Sequence, residues 1–258
     1  MSERVALSIA EGVAQVRLNR PDKMNALDNA MLEAIAQTGE TLRARRDVRA
    51  VLLSGEGRAF CAGIDIASFG QGFPDLLPRR FGNSNLFQHA AMLWRDLPMP
   101  VIAAVHGACF GGGLQIALGA DIRIASPDAT LSLMEIKWGL VPDMGAFALT
   151  RGLVRSDVLR ELAYTGRTVG AAEAETIGLV TRMAPDAHAA ALEMARTIAS
   201  RNPDAIRHAK QLAGLTEDAE RAAILQAESL AQADILGQPN QREAVAAEMT
   251  KRPPLFMD

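Results

Sequence analysis

Cysteine is nearly absent: Cys61 and Cys109 are the two in 258 residues, too few for a disulfide framework. With no charged-then-apolar segment opening the sequence, they fit a reducing cytoplasm, and no disulfide is expected. Positive charge is not in excess either, since 27 Lys and Arg face 30 Asp and Glu for a formal net charge of −3. That balance argues against a general polyanion binder. Without a basic face studded with aromatics, nucleic acid is not the expected partner. Residues 97–120 lack Asp, Glu, Lys and Arg and are long enough to span a membrane, but Pro98, Pro100, His106 and the glycines fit a buried strand and turn instead. No membrane partner is expected.

Several chemical constellations are incomplete. His106 and Cys109 are spaced for two metal ligands, yet no second pair accompanies them, and a structural zinc site needs four; no metal is assigned. Cys61 and His89 have nothing to orient them as nucleophile and base. Gly55, Gly57 and Phe60 fall short of a dinucleotide fingerprint because the third glycine is missing.

What the chain does have is core: 49% of its residues are hydrophobic, enough for one large domain with an appendage. Residues 101–105 read as a strand ending in a glycine cluster, Gly107, Gly111, Gly112 and Gly113, that passes into a helix over 114–118. Glycines let a ligand approach the backbone, and the first amides of a helix are unpaired donors at the positive end of its dipole. Such a turn suits an anion or an oxyanion. Glu135 and Asp143 follow, separated by a stretch that Gly139 and Pro142 keep irregular. Donors followed by acids point to acid/base chemistry on a carbonyl.

Around this centre, Val5, Leu7 and Ile9 alternate, Glu11 and Gly12 turn, and Val16 and Leu18 alternate again, which predicts a hairpin. A loop over 19–27 leads to a helix capped by Asp28 and running to Arg46. Residues 48–53 read as a strand, 54–69 as a loop turning into a helix, 69–85 as a mobile loop and 85–95 as a helix. Helices are expected over 146–153 and 156–164, the second with Ser156 as cap, and an almost wholly helical region from 186 onward breaks at Asn202–Pro203, Gly214 and Gly237–Pro239. The expected organisation is α/β, with ββα units in residues 1–201 and a helical extension over 202–258.

Seven segments stand in one order: LNRPDKMNAL, GEGRAFCAGIDI, PVIAAVHGACFGGG, GADIRIAS, GLVPDMG, TGRTVGAAEAETIGLV and KRPPLF. In this the chain resembles the crotonase superfamily, the enoyl-CoA hydratase and isomerase group, over nearly its full length. The resemblance implies a crotonase-type spiral of ββα repeats closed by a C-terminal helical region, assembly as a homotrimer or dimer of trimers, and an acyl-CoA thioester substrate. It implies no cofactor beyond the coenzyme A of that substrate. It places the oxyanion hole at the backbone amides of Ile64 and Gly112, and the coenzyme A along Lys23, Ala26, Ala62, Asp65 and Ile66. For Lys23 a solvated lysine is an equal alternative to a phosphate contact. Lys251 and Arg252 are placed towards a neighbouring subunit's nucleotide.

The departure is at Gln115. The hydratase pattern has a glutamate there and a second one about twenty residues on, and here only Glu135 keeps its acid. Two carboxylates can share a water, take its proton and return a proton to the α-carbon; an amide holds a water or substrate but exchanges no proton. One carboxylate suffices to move a proton from the α- to the γ-carbon, so isomerisation is favoured over hydration, with Glu135 as acid/base. Asp143 stands eight residues beyond Glu135, a spacing similar to that of the dienoyl-CoA isomerases, although those carry an aspartate where this chain has Gln115; it reads equally as a second catalytic acid or as a turn residue. The alternative for Glu135 is a structural ion-pair partner of Lys137 or of a basic residue distant in sequence. Met134 and Trp138 read as an acyl-pocket wall or as core. A non-catalytic acyl-CoA binder is the rival from another class.

Overall fold

In the computed structural model, which describes residues 4–65, 67, 76–216 and 219–258, the chain opens as the expected antiparallel hairpin. Its strands are β1 (Val5–Ala10) and β2 (Val13–Leu18). A 3-10 turn at Pro21–Lys23 leads to α1 (Asn29–Arg43), capped by Asp28, whose Oδ1 accepts the Met31 N–H at 2.8 Å. Strand pairs then alternate with helices. β3 (Ala50–Gly55) and β4 (Ala59–Cys61) precede α2 (Leu86–Asp96), and β5 (Val101–Val105) and β6 (Ala108–Phe110) precede α3 (Gly112–Gly119). β7 (Ile122–Ala125) and β8 (Thr130–Ser132) are followed by a 3-10 helix at Glu135–Trp138, α4 (Ala146–Leu149) and α5 (Ser156–Thr165). β9 (Val169–Gly170), α6 (Ala171–Thr176) and β10 (Arg182–Met183) close the pattern before α7 (Ala187–Ala199), α8 (Pro203–Leu215), α9 (Arg221–Ile235) and α10 (Pro239–Thr250).

Each of the three pairs β3/β4, β5/β6 and β7/β8 sends one strand to each of two sheets. The first sheet has the order β1-β2-β3-β5-β7-β10, parallel beyond the hairpin, and the second β4-β6-β8-β9, with β8 and β9 antiparallel. Successive pairs stack in a spiral of ββα turns. Residues 97–120, charge-free in sequence, become β5, β6 and α3 inside this stack, and among the described residues no helix is long and apolar enough to cross a membrane.

Parallel strands covered on both faces read as continuous apolar runs rather than alternating ones, and β3 and β5 show why. Val51 and Leu53, with Val101, Ala103 and Val105, enter the main core among α1, α2 and α3; Ala50 and Leu52, with Ile102 and Ala104, face the other way. There they meet Ala187, Ala191, Ala195 and Ala199 of α7. That four-residue spacing puts one methyl per turn on a single face, which lets the helix lie close to the sheet.

The structure corrects several boundaries. β4 lies inside the segment expected as a loop turning into a helix, because three residues are too few to show a period. The helix expected to Leu153 ends at Leu149, where the Thr150 hydroxyl donates back to Ala146 O at 2.6 Å. Ser156 is the first residue of α5, and Arg155 occupies the cap position, its side chain bonded to Asp157 rather than to the free N–H groups of the helix. Gly214 lies within α8, whereas Asn202 caps that helix as expected. The expected mobile loop is described from residue 76 onward; its earlier part lies outside the described residues.

Candidate active site

Two backbone turns meet where β4 and β6 end. After β4, Leu27 binds the next segment: its N–H donates to Gly63 O at 2.8 Å and its carbonyl accepts the Asp65 N–H at 2.9 Å. In a parallel bridge this turns the N–H of the intervening residue, Ile64, to the opposite edge. Gly63 has φ 89°, a left-handed value that favours glycine, and a Cβ built on it would lie 2.8 Å from Phe110 O and 3.6 Å from the Gly112 nitrogen. α3 begins at Gly112 with no side-chain cap, so its first N–H groups remain free donors. Gly113 is required by proximity: a Cβ there would stand 2.5 Å from Cys61 O. The Ile64 segment and the Gly112 N–H therefore lie on touching turns.

The loop before α1 holds the first of these turns in place. Asn25, fully buried with φ 57°, donates through Nδ2 to Glu56 O (2.9 Å), Ala59 O (2.9 Å) and Phe60 O (3.2 Å), while its Oδ1 accepts the Arg20 N–H at 2.8 Å. Arg20 reaches Asp65 at 2.7 Å and Asp28 at 3.5 Å. The Arg20 guanidinium holds the Asp65 carboxyl below the usual range. Neither Arg20 nor Asn25 was singled out from sequence; their signal was membership of the breaker-rich 19–27 loop. Lys23, exposed, and Ala26 belong to this loop, and the Ala62 N–H donates to Met24 O at 2.9 Å, so Lys23, Ala26, Ala62 and Asp65 gather in one neighbourhood. Ile66 lies outside the described residues.

Glu135 opens the 3-10 helix after β8 and hangs over the glycine turn: a Cβ on Gly111 would lie 3.2 Å from its Oε1. That oxygen accepts from Gln115 Nε2 at 2.6 Å, and Oε2 is buried with no hydrogen-bond partner. Burial pushes the carboxyl above its usual range, against bonds from its own N–H and Gln115 that pull it down, and Asp143 adds to the rise. Asp143, half-buried, is itself raised by burial. The two acids thus share one site. An ion pair of Glu135 with Lys137 is not found among the described residues, and Trp138 is 54% exposed rather than core.

The other constellations are not assembled. The Cys61 thiol, pushed up to about 12 by burial, donates to Asn25 O at 3.1 Å, while His89 stacks on Phe81 with ring centres 4.0 Å apart. Cys109 is buried, and His106 Nε2 meets Gly57 O at 2.9 Å. Arg252 is paired within its own chain to Glu243.

Comparisons with known proteins bear on the family and the fold. The family described as Enoyl-CoA hydratase/isomerase matches residues 8–258. YngF of Bacillus subtilis, an enoyl-CoA hydratase/isomerase by name, is 35% identical over 94% of this chain and 93% of its own length. Human mitochondrial Delta(3,5)-Delta(2,4)-dienoyl-CoA isomerase is 33% identical over 79% of this chain and 66% of its own length. The crystal structure of an enoyl-CoA hydratase from Bacillus anthracis superposes with a TM-score of 0.90 at 30% identity, covering 98% of both chains. With a spiral of ββα turns, a family match across nearly the whole chain and relatives of this kind, the protein belongs to the enoyl-CoA hydratase/isomerase family of the crotonase superfamily.

Proposed function

We propose that this enzyme shifts the double bond of an enoyl-CoA thioester through an enolate, using Glu135 as the single proton carrier, and that hydration is the minor reaction. The observation that carries the reading is Glu135 Oε2: a buried carboxylate oxygen without a partner beside the glycine turn, with Gln115 where a second carboxylate would stand. Glu135 takes a proton from the α-carbon of a 3-enoyl thioester, the electron pair moves through the carbonyl onto its oxygen, and the same carboxyl returns the proton to the γ-carbon. The Ile64 and Gly112 amides receive the negative charge, each worth ~3 kcal/mol in a preorganised site. A raised carboxyl suits both steps, because proton transfer is most effective when the group's affinity is near that of the working solution. The chemistry needs no cofactor beyond the substrate's coenzyme A, for which Lys23, Ala26, Ala62, Asp65 and Ile66 form the proposed track.

A second reading is favoured by Asp143, close enough to raise Glu135: two acids at opposite ends of a conjugated chain suit a dienoyl-CoA, and the human relative bears that activity in its name. Asp143→Asn separates the two, slowing dienoyl isomerisation far more than 3-enoyl isomerisation if the second reading holds. We further infer a cytoplasmic homotrimer or dimer of trimers, supported by two buried free cysteines and by outward-facing Leu225, Leu230 and Met249 on α9 and α10. The direct test is Glu135→Gln. Acyl-CoA binding should persist while turnover is lost; unchanged turnover would overturn the assignment, and a wild-type protein that binds acyl-CoA without turnover would be a binder.

A further inference from the structure

Gln115 lies on α3 with no exposed surface, and its amide is bonded at both ends. Its Oε1 accepts the N–H groups of Met144 at 2.8 Å and Ala146 at 3.0 Å, and its Nε2 donates to Glu135 Oε1 at 2.6 Å. The partners assign the orientation: a reversed amide would set an NH2 group against two N–H donors and a carbonyl oxygen against a carboxylate. Both lone pairs of the amide oxygen are taken, so that atom has no capacity left for a reacting water.

We propose that Gln115 is the positioning residue of this site: it pins Glu135 Oε1, leaves Oε2 as the one oxygen that carries the substrate proton, and ties the base to the turn bearing Asp143. The inference rests on Glu135 being the base. A donor at 2.6 Å from a carboxylate is a charge-assisted bond that favours the ionised form. It opposes the burial that favours the protonated form. From the elements packed against it, Glu135 is faced by Gln115 of α3 and by Asp143 of the turn before α4, the latter being the titratable group at this contact among the described residues.

Gln115→Glu is nearly isosteric and isolates the effect. One oxygen of the new carboxylate still accepts from Met144 and Ala146, so the backbone bonds survive. The other faces Glu135 Oε1, and two carboxylates in such contact do not both ionise. The side chain held by two N–H groups keeps the charge, and Glu135 takes the proton. Gln115→Asn is the second variant: its shorter side chain withdraws the donor without adding charge.

The experiment is an infrared titration of carboxyl groups in the ligand-free protein, with the Glu135 band identified by its loss in Glu135→Gln. The Glu135 midpoint is expected to rise by about one pH unit or more in Gln115→Glu, tenfold in proton affinity, and by a smaller step in Gln115→Asn. The acid limb of kcat/KM should move with it while the Kd for acyl-CoA stays within about twofold. A midpoint unchanged in both folded variants would overturn the proposal. Because the titration is read without substrate, an absence of isomerase activity would count against the proposed reaction and leave this result standing.

Discussion

α3 and α9 are opposite extremes among the helices of this protein. All eight residues of α3 are buried, whereas α9 buries Ala231 among its 15. In α3 there is no solvent to satisfy a polar group, so the amide of Gln115 has to find protein partners, and those partners are Glu135 and the turn that carries Asp143. In α9, Leu225 and Leu230 are 55% and 64% exposed, which is apolar surface turned to solvent. One helix is finished inside its own chain; the other carries the surface that the proposed assembly would use. Chemistry should therefore be sensitive at α3 and its neighbours, and assembly at α9.

The largest expected effect is at the proposed base. Glu135→Gln should lower kcat by about 10³-fold or more, within the range of general acid–base catalysis, measured with a 3-enoyl-CoA. Next comes the turn that opens α3. Gly113→Ala places a methyl 2.5 Å from Cys61 O, and such overpacking typically costs about 1–3 kcal/mol, to be read as a lower urea midpoint together with reduced turnover. Leu225→Asp with Leu230→Asp should sharpen the contrast from the other side, shifting sedimentation to smaller species while the far-ultraviolet spectrum is kept. If these changes leave the assembly as it is, the contrast between the two helices fails.

The smallest effect concerns stability and pH. A carboxyl raised in the folded state binds its proton more tightly there than in the unfolded chain, so its contribution is favourable at low pH and is lost as pH rises from the unfolded value through the folded one. Glu135 is such a group. Glu135→Gln should therefore melt at the same temperature as the wild type or higher near neutral pH, and the difference should shrink as the pH is lowered through the carboxylate range. A variant less stable than wild type at neutral pH would indicate that the charge of Glu135 is favourably paired.

Much of the architecture is legible in the sequence where an element is long enough to show its period or its cap. The hairpin of β1 and β2, the apolar runs of β3 and β5 and the Asp28 cap of α1 were readable for that reason. β4, β6 and β8 have three residues each, too short to distinguish from loop, and with them the second sheet stayed hidden. For the site, Glu135, Asp143, Ile64, Gly112 and Gln115 were singled out as candidates through motifs and the family resemblance. The bonds that give them their arrangement were not. Gln115 meets Met144 and Ala146 through their backbone N–H groups, and Asn25 meets Glu56, Ala59 and Phe60 through their carbonyls. Backbone partners leave no trace in residue type, so only the folded chain reveals them.

The central claim is that one carboxylate, held by an amide, carries the proton. The most direct measurement is a paired assay of the purified protein on two esters, crotonyl-CoA in water and a 3-enoyl-CoA. Rapid conversion of the 3-enoyl ester with hydration of crotonyl-CoA near background is the expected result. Hydration of crotonyl-CoA as fast as the isomerisation would contradict the account, because it would require a second proton-exchanging group beside Glu135.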